Sequence, residues 1–267
     1  MKTVKALVIT GYGINCEKEM ALACRLAGAT STIEHAKKLL KQEIDLDAYD
    51  LLAFPGGFSF GDELGAGKAF ANRLSYTSLN MKERLEQFIE RGKAIIGICN
   101  GFQLLVKLGL LPGNGAKQTL SLAHNDSCQF EARWTHHRIL PSPCIFTRKL
   151  EQLYLPVRHA EGKLIANNQS VITSLFNTNQ VVMQYADSTG TPSTAYPLNP
   201  NGSADSIAGI CDPTGRVFGL MPHPEAALYF TNQPNWLREK TTNKTSPIYG
   251  EGFHLFHNAI NYLRGNG

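Results

Sequence analysis

Long apolar runs are missing from this chain of 267 residues. None approaches the ~20 consecutive apolar residues that a membrane-spanning helix needs, so no membrane association is expected. The opening stretch MKTVKALVIT has too short an apolar core for a secretory signal, and Gly11-Tyr12-Gly13 interrupts it without a clear cleavage pattern. A cytoplasmic, reducing setting is the default expectation. The six cysteines (16, 24, 99, 128, 144 and 211) are then free thiols. There is no C-x-x-C pair and no H-E-x-x-H, so no metal site is expected. There is no G-x-x-x-x-G-K-[ST] loop, so the chain has no phosphate cradle of that kind. Charge is thin, at 18% of residues with a net value of +4. The basic clusters Lys37-Lys38 and His136-His137-Arg138 lie among apolar residues and form no stripe, so no nucleic-acid partner is expected.

What is present suits a globular protein. Hydrophobic residues make up 43% of the chain, and the length allows a sizeable core. Lys5 to Thr10, Thr30 to Glu34, Leu51 to Phe54 and Ala94 to Ile98 read as strands. Helical patterns alternate with them: Glu17 to Ala27, a helix capped by Asn80 with Glu83 at the capping-box position and running to Gly92, and Gly101 to Leu108. Such alternation predicts an α/β fold, an open and mostly parallel sheet flanked by helices. After about Pro112 short strand-like pieces dominate: Phe130 to Trp134, Cys144 to Thr147, Gln180 to Tyr185 and Arg216 to Leu220. Tyr196 to Ser203 reads as an ordered loop and Gly252 to Leu263 as a final helix. The second half is expected to add antiparallel strands to the sheet edge, with residues 1–267 forming a single domain.

The most informative stretch is Gly97-Ile98-Cys99-Asn100-Gly101, where a buried strand gives way at once to a helix. It has the form of the G-x-S-x-G nucleophile elbow with a thiol at its centre. Flanking glycines permit the tight turn, and a helix N-terminus stabilises a thiolate. A buried structural cysteine is the plain alternative. Two further stretches favour chemistry. In Met221-Pro222-His223-Pro224-Glu225, an extended chain would set His223 and Glu225 on one face, as base and orienter for a cysteine nucleophile. In Pro55-Gly56-Gly57-Phe58-Ser59-Phe60-Gly61-Asp62, flexible backbone can aim an amide N–H at an oxyanion, as can the N–H of Asn100.

Together PGGFSFGD, GICNGFQLL, HNDS with FEARW after it, NPNGS and MPHPE resemble the class I, triad-type glutamine amidotransferases. Within them they are closest to the glutaminase component of phosphoribosylformylglycinamidine synthase, of purine biosynthesis. The resemblance covers nearly the whole chain. It implies L-glutamine as substrate, Cys99 as nucleophile, His223 and Glu225 completing a triad, and Gly57 and Asn100 amides as the oxyanion hole. It also implies that Gln103 and Asn125 hold the glutamine. Ammonia would pass to a synthetase subunit that makes formylglycinamidine ribonucleotide, an assembly that admits a small accessory subunit. No cofactor is implied in this chain, with ATP and Mg on the synthetase. Subunits of this kind are often slow until the synthetase docks. The segment Phe58 to Gly67 and the loop Asn199 to Ser203 are candidates for the ammonia exit or the subunit interface. Two departures touch the partner contacts: Leu64-Gly65-Ala66-Gly67 lacks an arginine often found there, and Ala226 stands where arginine is usual.

Three other readings compete. Gly11-Tyr12-Gly13 after a strand, with Glu34 further on, suggests a nucleotide-binding oxidoreductase, but position 16 of the fingerprint is Cys. Peptidase-like and stress proteins also carry a cysteine elbow, without the His-Pro-Glu. A non-catalytic interaction subunit would have no need of an intact triad. His254 and His257 read as packing or surface residues of the final helix, and Cys16 is given no chemistry.

Overall fold

In the chain's computed structural model, residues 2–62, 64–76, 81–113, 118–242 and 246–265 are described. The first half builds β1 (Lys5–Thr10), α1 (Glu17–Leu26), β2 (Thr30–His35), α2 (Ala36–Leu40), β3 (Leu51–Phe54), α3 (Lys68–Tyr76), α4 (Met81–Glu90), β4 (Ala94–Ile98) and α5 (Asn100–Lys107). The second half adds β5 (Leu120–Ala123), β6 (Glu131–Ile139), β7 (Gln152–His159), β8 (Lys163–Ala166), α6 (Gln169–Asn177), β9 (Val181–Ala186), β10 (Ile207–Cys211), β11 (Val217–Leu220), α7 (Trp236–Thr242) and α8 (Phe253–Leu263).

One sheet runs in the order β2-β1-β3-β4-β11-β10-β9-β6-β7, and β5 pairs with β8 apart from it. The pairings from β2 to β11 are parallel, and those from β11 to β7 are antiparallel. The expected α/β sheet with antiparallel strands added by the second half is therefore what forms. β3, β4 and β11 are buried along their whole length, as strands covered on both faces must be. α5 packs on β3, β4 and β11 and Phe70 of α3 on Phe54 of β3, while α1 covers β1 and β2 with an apolar face that includes Met20, Ala23 and Cys24.

Several expectations shift in detail. β6 runs on to Ile139, well past Trp134, because the sheet pairs it on both sides. Cys144 to Thr147 is buried but is no strand. It is a turn held by Ile145 N–H on the Gly215 carbonyl and by Phe146 against Phe218, so tertiary packing explains its apolar run. The Asn80 cap lies outside the described residues. β7 is hidden in the sequence by Pro156, which has no N–H to give a ladder. It is tolerated because β7 is the edge strand of the sheet, paired among the described residues with β6 alone.

β7 stands five places from β4 in the sheet, yet its backbone meets the end of β4. The Cys99 thiol approaches the Arg158 carbonyl at 3.6 Å, and His223 N–H donates to the Pro156 carbonyl at 2.8 Å. The antiparallel half therefore curls over the C-terminal ends of the parallel strands. Register shifts between β9 and β10 mark irregular pairing, the kind of bulge that bends a sheet.

Candidate active site

Cys99 sits between β4 and α5 with φ 51° and ψ −103°, a left-handed conformation that costs a non-glycine residue about 1–3 kcal/mol. Its N–H donates to the Leu220 carbonyl of β11 at 2.8 Å, which locks the corner to the sheet. The glycines on either side serve close packing. A Cβ on Gly101 would fall 1.9 Å from the Phe54 carbonyl oxygen, and one on Gly97 would fall 2.6 Å from the Gly101 oxygen. Gly101→Ala is expected to destabilise the fold by about 1–3 kcal/mol or more, seen as a lower denaturation midpoint. An unchanged midpoint would show that β3 and α5 pack less closely than this.

His223 follows β11, and one 3-10 turn, Pro224–Ala226, follows it. That turn, rather than a fully extended chain, brings Glu225 beside the ring, with Nδ1 to Oε1 at 2.6 Å. Both side chains are buried. Among the described residues His223 Nε2 and Glu225 Oε2 have no hydrogen-bond partner. Burial opposes charge on this imidazole. The Glu225 carboxylate and the neighbouring Cys16 and Cys99 thiols outweigh it and hold the His223 pKa well above its ordinary value.

Gly57 has φ 143°, and a Cβ there would strike the Gly13 carbonyl and the Ile14 backbone, so glycine is required. Phe58 N–H donates to Gly13 O and Asn15 N–H to Gly56 O, joining the Gly11–Asn15 loop to this one. Those bonds come from the neighbours, so they leave the Gly57 N–H unused. A Cβ on Gly13 would fall 2.3 Å from the Phe58 carbonyl oxygen, so this glycine loop is packed against protein backbone, which disfavours the oxidoreductase reading.

A cavity of about 100 Å³ opens beside the thiol, lined by Gly57, Asp62, Cys99, Gln103, Arg158 and Glu161 among others. Gln103 donates to the Glu161 carbonyl and accepts from Asn100 Nδ2 at 3.1 Å. Asn100 Nδ2 also reaches Asp62 Oδ1 at 3.2 Å, so α5 is tied to the loop after β3. Burial raises the Asp62 pKa, partly offset by the Gly67 N–H and Asn100.

Asn125 lies behind this wall. Its amide donates to the Gln129 and His159 carbonyls at 2.9 and 2.7 Å. Its oxygen accepts from His159 Nδ1 and Gly162 N–H at 3.0 and 3.1 Å. With its hydrogen bonds spent on protein, it shapes the turn between β7 and β8. Asn199, Asn201 and Ser203 are buried too, and Asn201 and Ser203 brace the same turn through Gly162 and Leu164. Of the two departures, Gly65 faces open space, and Ala226 closes the 3-10 turn by donating to the His223 carbonyl at 3.1 Å.

The sequence reading did not single out Arg158 to Glu161 or Asp62. The run His-Ala-Glu-Gly at the end of β7 was the available signal, masked because Pro156 hides the strand. Nor did it assign Cys16, whose thiol lies 4.0 Å from His223 Nδ1.

These histidines give stability a definite pH dependence. Burial holds His137 down to about 3, and burial with the His223 charge does the same for His159. As pH falls from about 6.5 toward 3, the unfolded chain takes up protons that these two cannot accept, so stability falls. His223 acts oppositely: its stabilising share is complete below about 6.5 and is lost as pH rises through its higher folded value. The denaturation midpoint is therefore expected to peak near pH ~6.5, and His137→Gln should flatten the acid side. A midpoint that rises steadily toward acid would contradict this assignment.

The chain matches the family of CobB/CobQ-like glutamine amidotransferase domains over residues 3–263. It is 41% identical over 268 residues to "Phosphoribosylformylglycinamidine synthase subunit PurQ" of Methanococcus maripaludis, covering 97% of both chains. It is 41% identical over 266 residues to the protein of the same name from Dehalococcoides mccartyi, covering 99% of both. Among solved structures, it resembles a chain of "Structure of PurLQS from Thermotoga maritima" with a TM-score of 0.71 and 27% identity, over 98% of this chain and 100% of that one. The chain is thus a member of the glutamine amidotransferase family, of the PurQ type.

Proposed function

We propose that this chain is the glutaminase subunit of a phosphoribosylformylglycinamidine synthase, releasing ammonia from L-glutamine for a synthetase partner. The observation that carries the reading is one arrangement: a cysteine elbow beside a cavity, next to a buried His223–Glu225 pair bonded at 2.6 Å. Family membership supplies the substrate class and the pathway.

In this mechanism Cys99 Sγ attacks the side-chain carbonyl carbon of glutamine, and its proton goes to His223. Nδ1 is engaged by Glu225, so Nε2 is the nitrogen that exchanges protons with the thiol and the leaving group. The N–H groups of Gly57 and Asn100 take the oxyanion, each such donor being worth a factor of roughly 10²–10³. His223 then protonates the leaving nitrogen, ammonia departs and a γ-glutamyl thioester remains. A water gives a proton to His223 and attacks the thioester, and His223 returns that proton to the Cys99 sulfur as glutamate departs. Gln103 contacts the glutamine directly from the cavity wall. Asn125 acts on it only through the His159–Gly162 turn.

In this reading ATP and Mg belong to the synthetase, and a small accessory subunit joins the assembly. The continuous nine-stranded sheet supports reading residues 1–267 as one domain. Among the described residues no helix is long and apolar enough to cross a membrane, which accords with a cytoplasmic site of action.

The test is reconstitution with a PurL-type synthetase, ATP and formylglycinamide ribonucleotide. Glutamine should support amidine formation only when this chain is present, while ammonium should support it without the chain. Equal use of glutamine without the chain would refute the assignment.

A further inference from the structure

One thiol beside the triad has no part in that mechanism. Cys16 is the residue preceding α1, and the loop before it is fixed to the Gly57 loop by backbone hydrogen bonds and by Tyr12 stacked on Phe60 at 4.3 Å. Its Sγ is 4.0 Å from His223 Nδ1. Sγ of Cys16, a ring nitrogen of His223 and a carboxylate oxygen of Glu225 all lie within 4.8 Å of one another. His223 and Glu225 are 2% and 3% exposed, and Glu225 Oε2 has no hydrogen-bond partner among the described residues.

We propose that Cys16, His223 and Glu225 form an inhibitory site for a thiophilic divalent cation, zinc above all. Sulfur, imidazole and carboxylate are zinc's usual protein ligands. A tetrahedral ion with bonds of about 2.0–2.3 Å holds its ligand atoms roughly 3.4–3.6 Å apart. From 4.0 Å the sulfur has to close on Nδ1 by about 0.5 Å and, from within 4.8 Å, on the carboxylate by up to about 1.3 Å, while the carboxylate retreats from Nδ1 by less than 1 Å, movements within the reach of side-chain rotation. A water completes the fourth position. The Cys16 proton leaves to solvent. Metal at Nδ1 displaces the proton shared with Glu225 to solvent, and the ring, now neutral, keeps its proton on Nε2. That nitrogen then has no lone pair for the Cys99 proton, and Glu225 no longer orients the ring. The site thus arrests the chemistry without touching the nucleophile. The inhibition rests on the glutaminase reading, while the binding does not. Sequence spacing hides this ligand set, because Cys16 stands 207 residues from His223.

The experiment uses the full chain freed of metal and titrated with Co(II), a spectroscopic stand-in for zinc. One equivalent should bind with a near-ultraviolet thiolate-to-cobalt band, and zinc should displace it. Cys16→Ser should lose the band and raise the zinc concentration for half-inhibition at least tenfold, while Cys99→Ala keeps the band. No band, a band unchanged in Cys16→Ser, or one lost only in Cys99→Ala would overturn the site. Full glutaminase activity in the zinc-loaded chain would overturn the inhibition. Should Cys16→Ser fail to fold, Cys16→Ala and thiol-selective labelling of Cys16, blocked by zinc, decide the same point. If the chain is no glutaminase, the cobalt band still decides the site, and labelling of Cys99 decides the reading.

Discussion

Cys99→Ala is expected to lower glutamine hydrolysis by on the order of 10⁴–10⁶-fold, the loss seen when a nucleophile that acts as one unit with its base is removed. The fold should survive. The strained turn is kept by the Leu220 hydrogen bond and by the glycine contacts on either side, and alanine differs from cysteine only by a sulfur. Ammonium-dependent amidine synthesis by the reconstituted complex should remain, because it bypasses the thioester. The measurement is therefore paired: glutamine-dependent and ammonium-dependent rates on one preparation. If both fall together, Cys99 shapes the complex. If neither falls, the nucleophile is elsewhere.

Glu225→Gln should reduce glutamine turnover by roughly 10²–10⁴-fold, as loss of the orienting carboxylate does in comparable triads. The amide can still accept from Nδ1, so the ring need not move far. What disappears is the negative charge. Burial of His223 is then no longer outweighed, the imidazole is neutral over a wider range, and the protonated form needed to expel ammonia becomes costly. The loss should fall on kcat more than on KM, since Glu225 does not line the cavity of about 100 Å³. The alkaline decline in stability should also flatten, because the raised His223 pKa produces it. A change confined to KM would assign Glu225 to substrate binding.

How much of this was legible in the sequence varies with the kind of signal. The parallel half reads well because β1, β3 and β4 are short apolar runs and α1 is amphipathic. The elbow reads well because glycine at 97 and 101 is dictated by atoms a Cβ would strike. The antiparallel half reads poorly. Pro156 conceals β7, and the burial of Cys144 to Phe146 imitates a strand while serving as a packed turn. The far wall of the cavity was missed with β7, since it forms only when the sheet curls back over β4. Asn125 was found by motif, but its position behind the wall depends on contacts with His159 and Gly162 that no spacing reveals. Cys16 was seen and left without a role for the same reason: its partner is far along the chain.

The central claim is that Cys99 is a glutamine-directed nucleophile. The most direct measurement is the intact mass and peptide map of the chain after incubation with 6-diazo-5-oxo-norleucine, with and without excess glutamine and with a PurL-type synthetase added. The account predicts one adduct, the reagent less dinitrogen, on Cys99, prevented by glutamine and present at the latest once the synthetase is bound. An unlabelled Cys99 in the complete complex, or scattered adducts that glutamine does not prevent, would contradict it.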